Sequence, residues 1–243
     1  MKPLLRDRPP TPIASLLAAA AFALLVLRST SSAVAETCAT PREATPSLAA
    51  VDARQRLAWI DAHLSTAAHR ARLWTWSWSA GLVVATTANL VPLAFVSTDQ
   101  RIDWYVGAGT TVIGIVPLLI APLDVVADAR QLRASIAQQP AQEARCGLLA
   151  DAEQRLDRDA ANQTDGRRWW LHVSNVLLNT GVGMFLGIGF HHWGAGALNA
   201  VSGSLIGEAI ILTQPTGSID DLATYRAGNI SSSPTQVSYR AAF

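Results

Sequence analysis

The stretch that decides the fold is Arg167–Pro215, RRWWLHVSNVLLNTGVGMFLGIGFHHWGAGALNAVSGSLIGEAIILTQP. It holds two apolar runs, Trp169–Phe190 and Trp193–Thr213, with two histidines between them. At about 1.5 Å of helical rise per residue, each run is long enough to cross roughly 30 Å of hydrocarbon. We therefore predict a transmembrane helical hairpin over 167–215.

A similar apolar hairpin is predicted earlier, over 73–123. Its spans run from about Leu73 to Val96 and from Trp104 to about Leu123. The polar turn between them, Ser97–Asp103, is too short for anything but an antiparallel pair of helices. The fold class we predict is all-α: a polytopic membrane protein with four transmembrane helices in two hairpins.

The overall composition agrees with a membrane protein. Half of the 243 residues are apolar and only 15% are charged, against roughly 25% in an ordinary soluble domain. The formal net charge of +1 offers no electrostatic surface for nucleic acid, so no nucleic-acid partner is expected. The first expected partner is the lipid bilayer.

Each predicted hairpin follows a polar, helical segment. In the segment 36–72, Leu57, Ile60 and Leu64 recur at helical spacing, which predicts an amphipathic helix. The segment 124–166 predicts two helices broken at Gln138-Gln139-Pro140, the second of them over Ala141–Ala160. The last segment, 216–243, is rich in Ser, Thr and Asn and predicts a flexible tail, in which only Ile219–Tyr225 hints at order.

Residues 1–35 have the three parts of a secretory signal. A basic start precedes the apolar run Ile13–Leu27, and Ala33-Val34-Ala35 offers a cleavage site. An uncleaved signal anchor is the alternative. Both versions predict a multi-pass protein of the plasma (inner) membrane of a bacterial cell envelope, with 36–72, 124–166 and the tail on the extracytoplasmic side.

The distribution of arginine argues for the opposite orientation. Seven arginines lie in the stretch placed outside or directly after it, five of them in 124–166 and two at 167 and 168, whereas the turn Ser97–Asp103 holds only Arg101. Positive loops usually stay inside. We keep the signal-directed orientation because the reversed one leaves residues 13–27 unexplained. The seven are Arg130, Arg133, Arg145, Arg155, Arg158, Arg167 and Arg168.

The two cysteines of the chain, Cys38 and Cys146, fall in one compartment. If that compartment is oxidising, a Cys38–Cys146 disulfide is expected. The alternative is a pair of unbonded thiols packed as small apolar groups. Two cysteines are too few for a disulfide scaffold, and their spacing predicts no metal site.

The two halves of the chain resemble each other. Asp52–Leu57, DARQRL, is similar to Asp151–Leu156, DAEQRL, and each is followed by arginines, tryptophans and a hairpin. This order indicates a duplication of one amphipathic helix plus one hairpin. Because a hairpin has an even number of spans, the two units would be parallel repeats. Chance similarity in a chain rich in Ala and Arg is the alternative.

Polar residues inside the predicted spans are the candidate site, since such residues are costly in a bilayer. His172, Asn175 and Asn179 share one face of the third span, and counting from the span ends puts Glu208 at the depth of Asn175. Such residues either form a polar pathway or hold the helices in register. The full set is His172, Asn175, Asn179, Asn199, Glu208 and Asn89.

The sequence contains no phosphate-binding glycine loop, nucleophile elbow or metalloprotease motif. We therefore expect a non-enzymatic envelope component that assembles with a protein partner or as a homo-oligomer, with no cofactor and no metal. The alternative is a small channel or transporter subunit that uses Glu208, His172 and the intramembrane asparagines. A third hypothesis is a membrane enzyme with His63, His69 and Asp61 at its surface.

Overall fold

The computed structural model describes residues 38–120, 122–138 and 145–230, and within these ranges the protein is helical with no strand. Four of the helices, α2, α3, α6 and α7, are long and apolar enough to cross a membrane, which confirms the predicted fold class at that level. The helices are α1 (Pro46–Ala49), α2 (Ala53–Leu90), α3 (Arg101–Ile120), α4 (Val125–Gln138), α5 (Arg145–Asp165), α6 (Trp169–Phe190), α7 (Trp193–Leu212) and α8 (Gly217–Arg226).

Apolar side chains divide the described protein into two parts. The buried cluster draws its members from 48–71, 125–156 and 225–230. The large apolar side chains that are exposed all lie in 73–120 and 169–212. A soluble surface does not present so many exposed apolar side chains, so these two ranges form the lipid-facing part. We call the other part the extramembrane domain.

Helix α2 belongs to both parts. It begins at Asp52, whose side chain accepts a hydrogen bond from the Arg54 amide at 2.9 Å, and continues without a break for 38 residues. The predicted amphipathic helix and first span are therefore one helix, about 57 Å long. A 3₁₀ turn, Val91–Ala94, follows it, where Pro92 lacks the amide hydrogen that a continuing helix needs.

The extramembrane domain is built from the first half of α2 with α4, α5 and α8 around it. Leu57, Ile60 and Leu64 are buried there, as their spacing predicts. Gln138 ends α4, where the helix break was predicted, and residues 139–144 lie outside the described residues, as does the signal predicted at 1–35.

The predicted flexible tail is wrong for its first part. Residues 217–226 form α8, and Tyr225 is only 1% exposed because it packs into the extramembrane core. The Thr45 amide donates to the Arg226 carbonyl at 2.8 Å, which fastens the end of α8 to the start of the domain. Residues 231–243 are outside the described part of the chain.

In the lipid-facing part, α3 packs along α2 and α7 packs along α6. The α6–α7 contact is close because glycines face each other: a Cβ atom on Gly183 would overlap the Gly196 carbonyl. Helix α6 ends at His191, whose φ of 61° is in the left-handed region common at helix ends. Between the two pairs, α3 and α7 make the contact.

Candidate intramembrane polar site

The polar residues predicted to share a depth in the third and fourth spans do meet. The His172 Nδ1 atom forms a hydrogen bond with the Glu208 carboxylate. The Asn175 amide donates to Glu208 Oε1 at 3.0 Å and to the Ser204 carbonyl at 2.9 Å. Two neighbouring helices therefore supply one acid, one imidazole and one carboxamide to a single cluster.

Asn179 extends this cluster by one turn of α6. Its amide donates to both the backbone carbonyl and the side-chain oxygen of Asn175 at 2.9 Å. Glycines on α7 make the room: a Cβ atom on Gly207 would overlap the Asn175 carboxamide, and one on Gly203 would overlap that of Asn179. The asparagines thus hold the register of α6 and α7 as well as forming the site.

Counting residues from the span ends also predicts that Asn89 meets Asn199, but the two side chains share no hydrogen bond. Each donates to its own helix, Asn89 to the Ala85 carbonyl at 2.8 Å and Asn199 to that of Ala195 at 3.4 Å. Both line a cavity of about 410 Å³ between the helix pairs. Counting residues from the span ends therefore predicts which side chains meet within a closely packed helix pair. It does not predict contacts across the looser boundary between the two pairs.

A second cavity, of about 270 Å³, lies between the helix pairs and is lined by Asn175 and Asn179. The two cavities have Thr110, Thr111, Gly203 and Ile206 in common as lining residues. The boundary between the pairs therefore carries side-chain amides and hydroxyls through much of its depth.

Sequence reasoning missed a histidine–carboxylate cluster where the two interhelical turns meet. His192 Nδ1 lies 2.8 Å from Asp103 Oδ1, and its Nε2 lies 3.2 Å from Asp99 Oδ2. Hydrogen bonds to the two carboxylates raise the pKa of His192. His192 is about 90 residues from both aspartates in the sequence. No local sequence pattern therefore predicts this cluster.

The extramembrane domain contains a buried ionic cluster that the sequence did not reveal. Arg56, 1% exposed, donates to the Tyr225 hydroxyl at 2.9 Å and forms an ion pair with Glu153. Tyr225 also donates to Glu153, and burial raises the pKa of Tyr225. The Arg56 guanidinium reaches the carbonyls of Cys38 and Ala39 at 3.4 and 3.3 Å.

The predicted disulfide is present beside that cluster. Cys38 and Cys146 are bonded, with their Cα atoms 5.4 Å apart, a separation usual for disulfides. The bond joins the segment before α1 to the first turn of α5.

Two carboxyl groups meet on the other side of α5. Asp128 accepts hydrogen bonds of 2.7 to 2.9 Å from Arg155 and Arg158. Asp159, 1% exposed, has no donor to either carboxylate oxygen within the described residues. Burial and the neighbouring Asp128 raise the pKa of Asp159 to about 8. Burial and the neighbouring Asp128 therefore favour the protonated, uncharged form of Asp159.

The surface site of the enzyme hypothesis is not assembled. His63 pairs with Asp221 at 2.7 Å and stacks on Trp59. Asp61 faces Arg133, with 3.4 Å between the charged atoms, and His69 is exposed. These three residues of α2 therefore have separate surroundings.

No protein-family model, curated protein or solved structure matches this chain. The residues of the polar site and of the extramembrane domain are thus the basis for a function. Together they offer a helical domain that is continuous with the first of four helices able to span a membrane, and a small polar cluster between two of these helices.

Proposed function

We propose that the chain is a non-enzymatic component of a bacterial plasma membrane that carries a disulfide-closed helical domain on the extracytoplasmic side for assembly with other proteins. One observation carries this proposal: α2 runs unbroken from the domain core into the lipid-facing part. A domain joined in this way cannot swing freely, which suits a fixed docking surface.

The disulfide supports the extracytoplasmic placement, because such bonds persist in oxidising compartments and are rare in the cytosol. The signal pattern at 1–35 favours the same orientation. The arginines that argued against it have a role in folding: Arg155 and Arg158 hold Asp128 in the space between α4 and α5. Two of the seven arginines therefore have a structural role that does not depend on the orientation of the chain.

The use of charged residues in the domain supports a binding role over catalysis. Arg56, Glu153 and Tyr225 satisfy one another. Arg226 pairs with Glu43 and Asp157. Groups engaged in such pairs hold the domain together and are poorly placed to bind and transform a substrate.

We further propose that the chain arose by duplication of a unit that is larger than the sequence alone suggested. Helix α4 packs on α2, as α8 packs on α5, while α2 and α5 meet each other. The cross contacts α4–α5 and α8–α2 also correspond. Each unit would be an amphipathic helix, a hairpin and a short returning helix, in parallel copies about an axis along the membrane normal.

The second candidate function is a small channel or transporter subunit. The observation in its favour is that polar side chains occur in the otherwise apolar cavities between the helix pairs, where Thr110 and Thr111 line both. Glu208 and His172 would then exchange protons or cations with this pathway.

Site-specific photo-crosslinking in native membranes tests the assembly proposal. A photoreactive residue at Gln154, exposed on the extramembrane domain, should give a discrete protein adduct. The control position is Leu205, 65% exposed in the lipid-facing part, which should give lipid adducts. Absence of protein adducts at Gln154 and at further exposed positions around the domain would overturn the proposal.

A flux assay in proteoliposomes decides between the two candidates. Glu208→Gln keeps the shape of the side chain and removes its charge. Proton or cation flux that is present in the unaltered protein and lost in this variant, with its mass in detergent unchanged, would support a transport function. No flux in either protein is the result expected for an assembly component.

A further inference from the structure

We propose that a cavity between α2 and α4 binds the phosphate group of an anionic membrane lipid. The cavity is lined by three arginines, Arg72, Arg130 and Arg133. This inference goes beyond the proposed assembly function and does not depend on it, because it assigns a lipid ligand to side chains that the assembly proposal does not use. It starts from positive charge that the protein itself leaves unbalanced.

The composition of the cavity is the first step. The cavity has a volume of about 140 Å³, and its lining residues are Ser65, Ala68 and Arg72 of α2 and Ala129, Arg130 and Arg133 of α4. The α2 residues follow at spacings of three and four, so they share one face of that helix. The two alanines are small, which leaves the space between the helices to the arginines and one hydroxyl. None of the lining residues is acidic.

The pairing of the arginines is the second step. Arg133 is engaged within the protein, since it donates to the Ser65 hydroxyl and lies 3.4 Å from a carboxylate oxygen of Asp61. Arg72 and Arg130 are exposed, and neither has a hydrogen bond or an ion pair with any residue in the described ranges. Two guanidinium groups on neighbouring helices therefore remain for an anion.

The chemistry of the guanidinium group is the third step, and it indicates phosphate. The planar N–H donors of one guanidinium match two oxygens of a phosphate at once. Arg72 and Arg130 line the same cavity from different helices, so a phosphate between them can accept hydrogen bonds from both sides. Arginine near a membrane surface also attracts anionic lipid electrostatically. The cavity thus suits a lipid whose phosphate carries a net negative charge.

The position of the cavity is the fourth step, and it makes a lipid the source of the phosphate. Arg72 immediately precedes Leu73, 55% exposed, where the lipid-facing part begins. Trp76, one turn further along the same face of α2, is 71% exposed, and tryptophan is typical of the headgroup level of a bilayer. Ile120, 77% exposed, ends α3 shortly before α4 begins. Lipid phosphates are concentrated at this level, and the apolar surface beside the cavity can hold acyl chains, which a free phosphate or an acidic protein segment would leave uncovered.

Native mass spectrometry of the full chain in an uncharged detergent tests the inference. Phosphatidylglycerol, which is anionic, should bind more tightly than phosphatidylcholine, whose phosphate is balanced by its choline group. Arg72→Gln and Arg130→Gln should each weaken phosphatidylglycerol binding by roughly fivefold, the effect expected of one arginine near a lipid surface. Neither arginine has a partner within the described residues, so both variants should keep the fold, which the Cys38–Cys146 disulfide and hydrogen exchange in 53–71 report.

Arg70→Gln is the matched control. Arg70 is two residues before Arg72, so it lies about 3 Å away along the axis of α2 and roughly 200° around it, and its guanidinium lies beside Gly217. This variant removes the same charge and should leave lipid binding nearly unchanged. Equal losses in Arg70→Gln and Arg72→Gln, or equal binding of the two lipids by the unaltered chain, would overturn the inference. Displacement of the lipid by inorganic phosphate, beyond that caused by sodium chloride of equal ionic strength, would also overturn it, because the cavity would then take free phosphate.

A photoreactive residue at His69 identifies the occupant in native membranes. His69 is exposed and lies between Ser65 and Arg72 on the same side of α2. Lipid adducts are expected there, and protein adducts in their place would overturn the inference. Adducts from Gln154 test the assembly proposal separately, so the two proposals can fail independently.

Discussion

Removing the buried Glu153 should destabilise the extramembrane domain far more than removing an exposed carboxylate that is also paired with an arginine. Arg56 is 1% exposed and Glu153 is 12% exposed, so Glu153→Ala leaves a buried guanidinium without its counter-ion. Breaking such a pair typically costs about 3–5 kcal/mol. Arg56 retains the Tyr225 hydroxyl and two backbone carbonyls, which favours the lower end, about 3 kcal/mol.

The control is Asp165→Ala. Asp165 pairs with Arg168 at 2.9 Å, but the two side chains are 54% and 59% exposed, and exposed pairs contribute about 0–1 kcal/mol. Both variants remove a carboxylate that is paired with one arginine, and they differ in burial and in the Tyr225 hydroxyl that Glu153 also accepts. Tyr225→Phe should fall between them, since it removes one hydroxyl from the buried cluster at a cost of about 1–3 kcal/mol.

Hydrogen exchange of the full chain in detergent measures the effect without requiring the spans to unfold. If amides in residues 53–71 exchange through opening of the domain, 3 kcal/mol corresponds to roughly 100-fold faster exchange. Asp165→Ala should change these rates by less than about fivefold. Similar changes in both variants would refute the account of the buried cluster.

Two further predictions concern stability. The raised pKa of Asp159, about 8, means that the folded domain holds a proton which the unfolded chain releases near pH 4. The stability that Asp159 contributes should therefore be fully present below about pH 4 and fall toward pH 8, by up to about 1.4 kcal/mol per pH unit. Asp159→Asn should remove this dependence of unfolding free energy on pH, measured in urea titrations, and an unchanged dependence would contradict the assignment to Asp159. Gly207→Ala should displace Asn175 and so lower thermal stability in detergent, at a cost of about 1–3 kcal/mol. Gly181→Ala is the control, because the space around Gly181 is open; equal effects of the two variants would contradict the assigned packing.

The four spans and the buried face of α2 could be predicted because each depends on a local pattern, either an apolar run or a helical repeat. The grouping of His172, Asn175 and Glu208 could also be predicted, since a two-residue turn fixes how α6 and α7 align. Depth alone then identifies facing residues.

Contacts between distant segments could not be predicted in this way. Arg56 is 97 residues from Glu153 and 169 from Tyr225, and in the sequence it is one arginine among many. Helix α8 is short and polar, so its order comes from burying Tyr225 and not from its own pattern. Asp159 likewise becomes unusual only when α4 brings Asp128 to it.

The most direct test of the central claim, a disulfide-closed domain outside the membrane, is thiol labelling of intact cells with a membrane-impermeant maleimide. We predict no labelling of Cys38 or Cys146 before reduction, and labelling of both from outside once a reductant opens the bond and the domain is unfolded. Free thiols that label in unreduced cells, or thiols that label only after the membrane is permeabilised, would contradict the account.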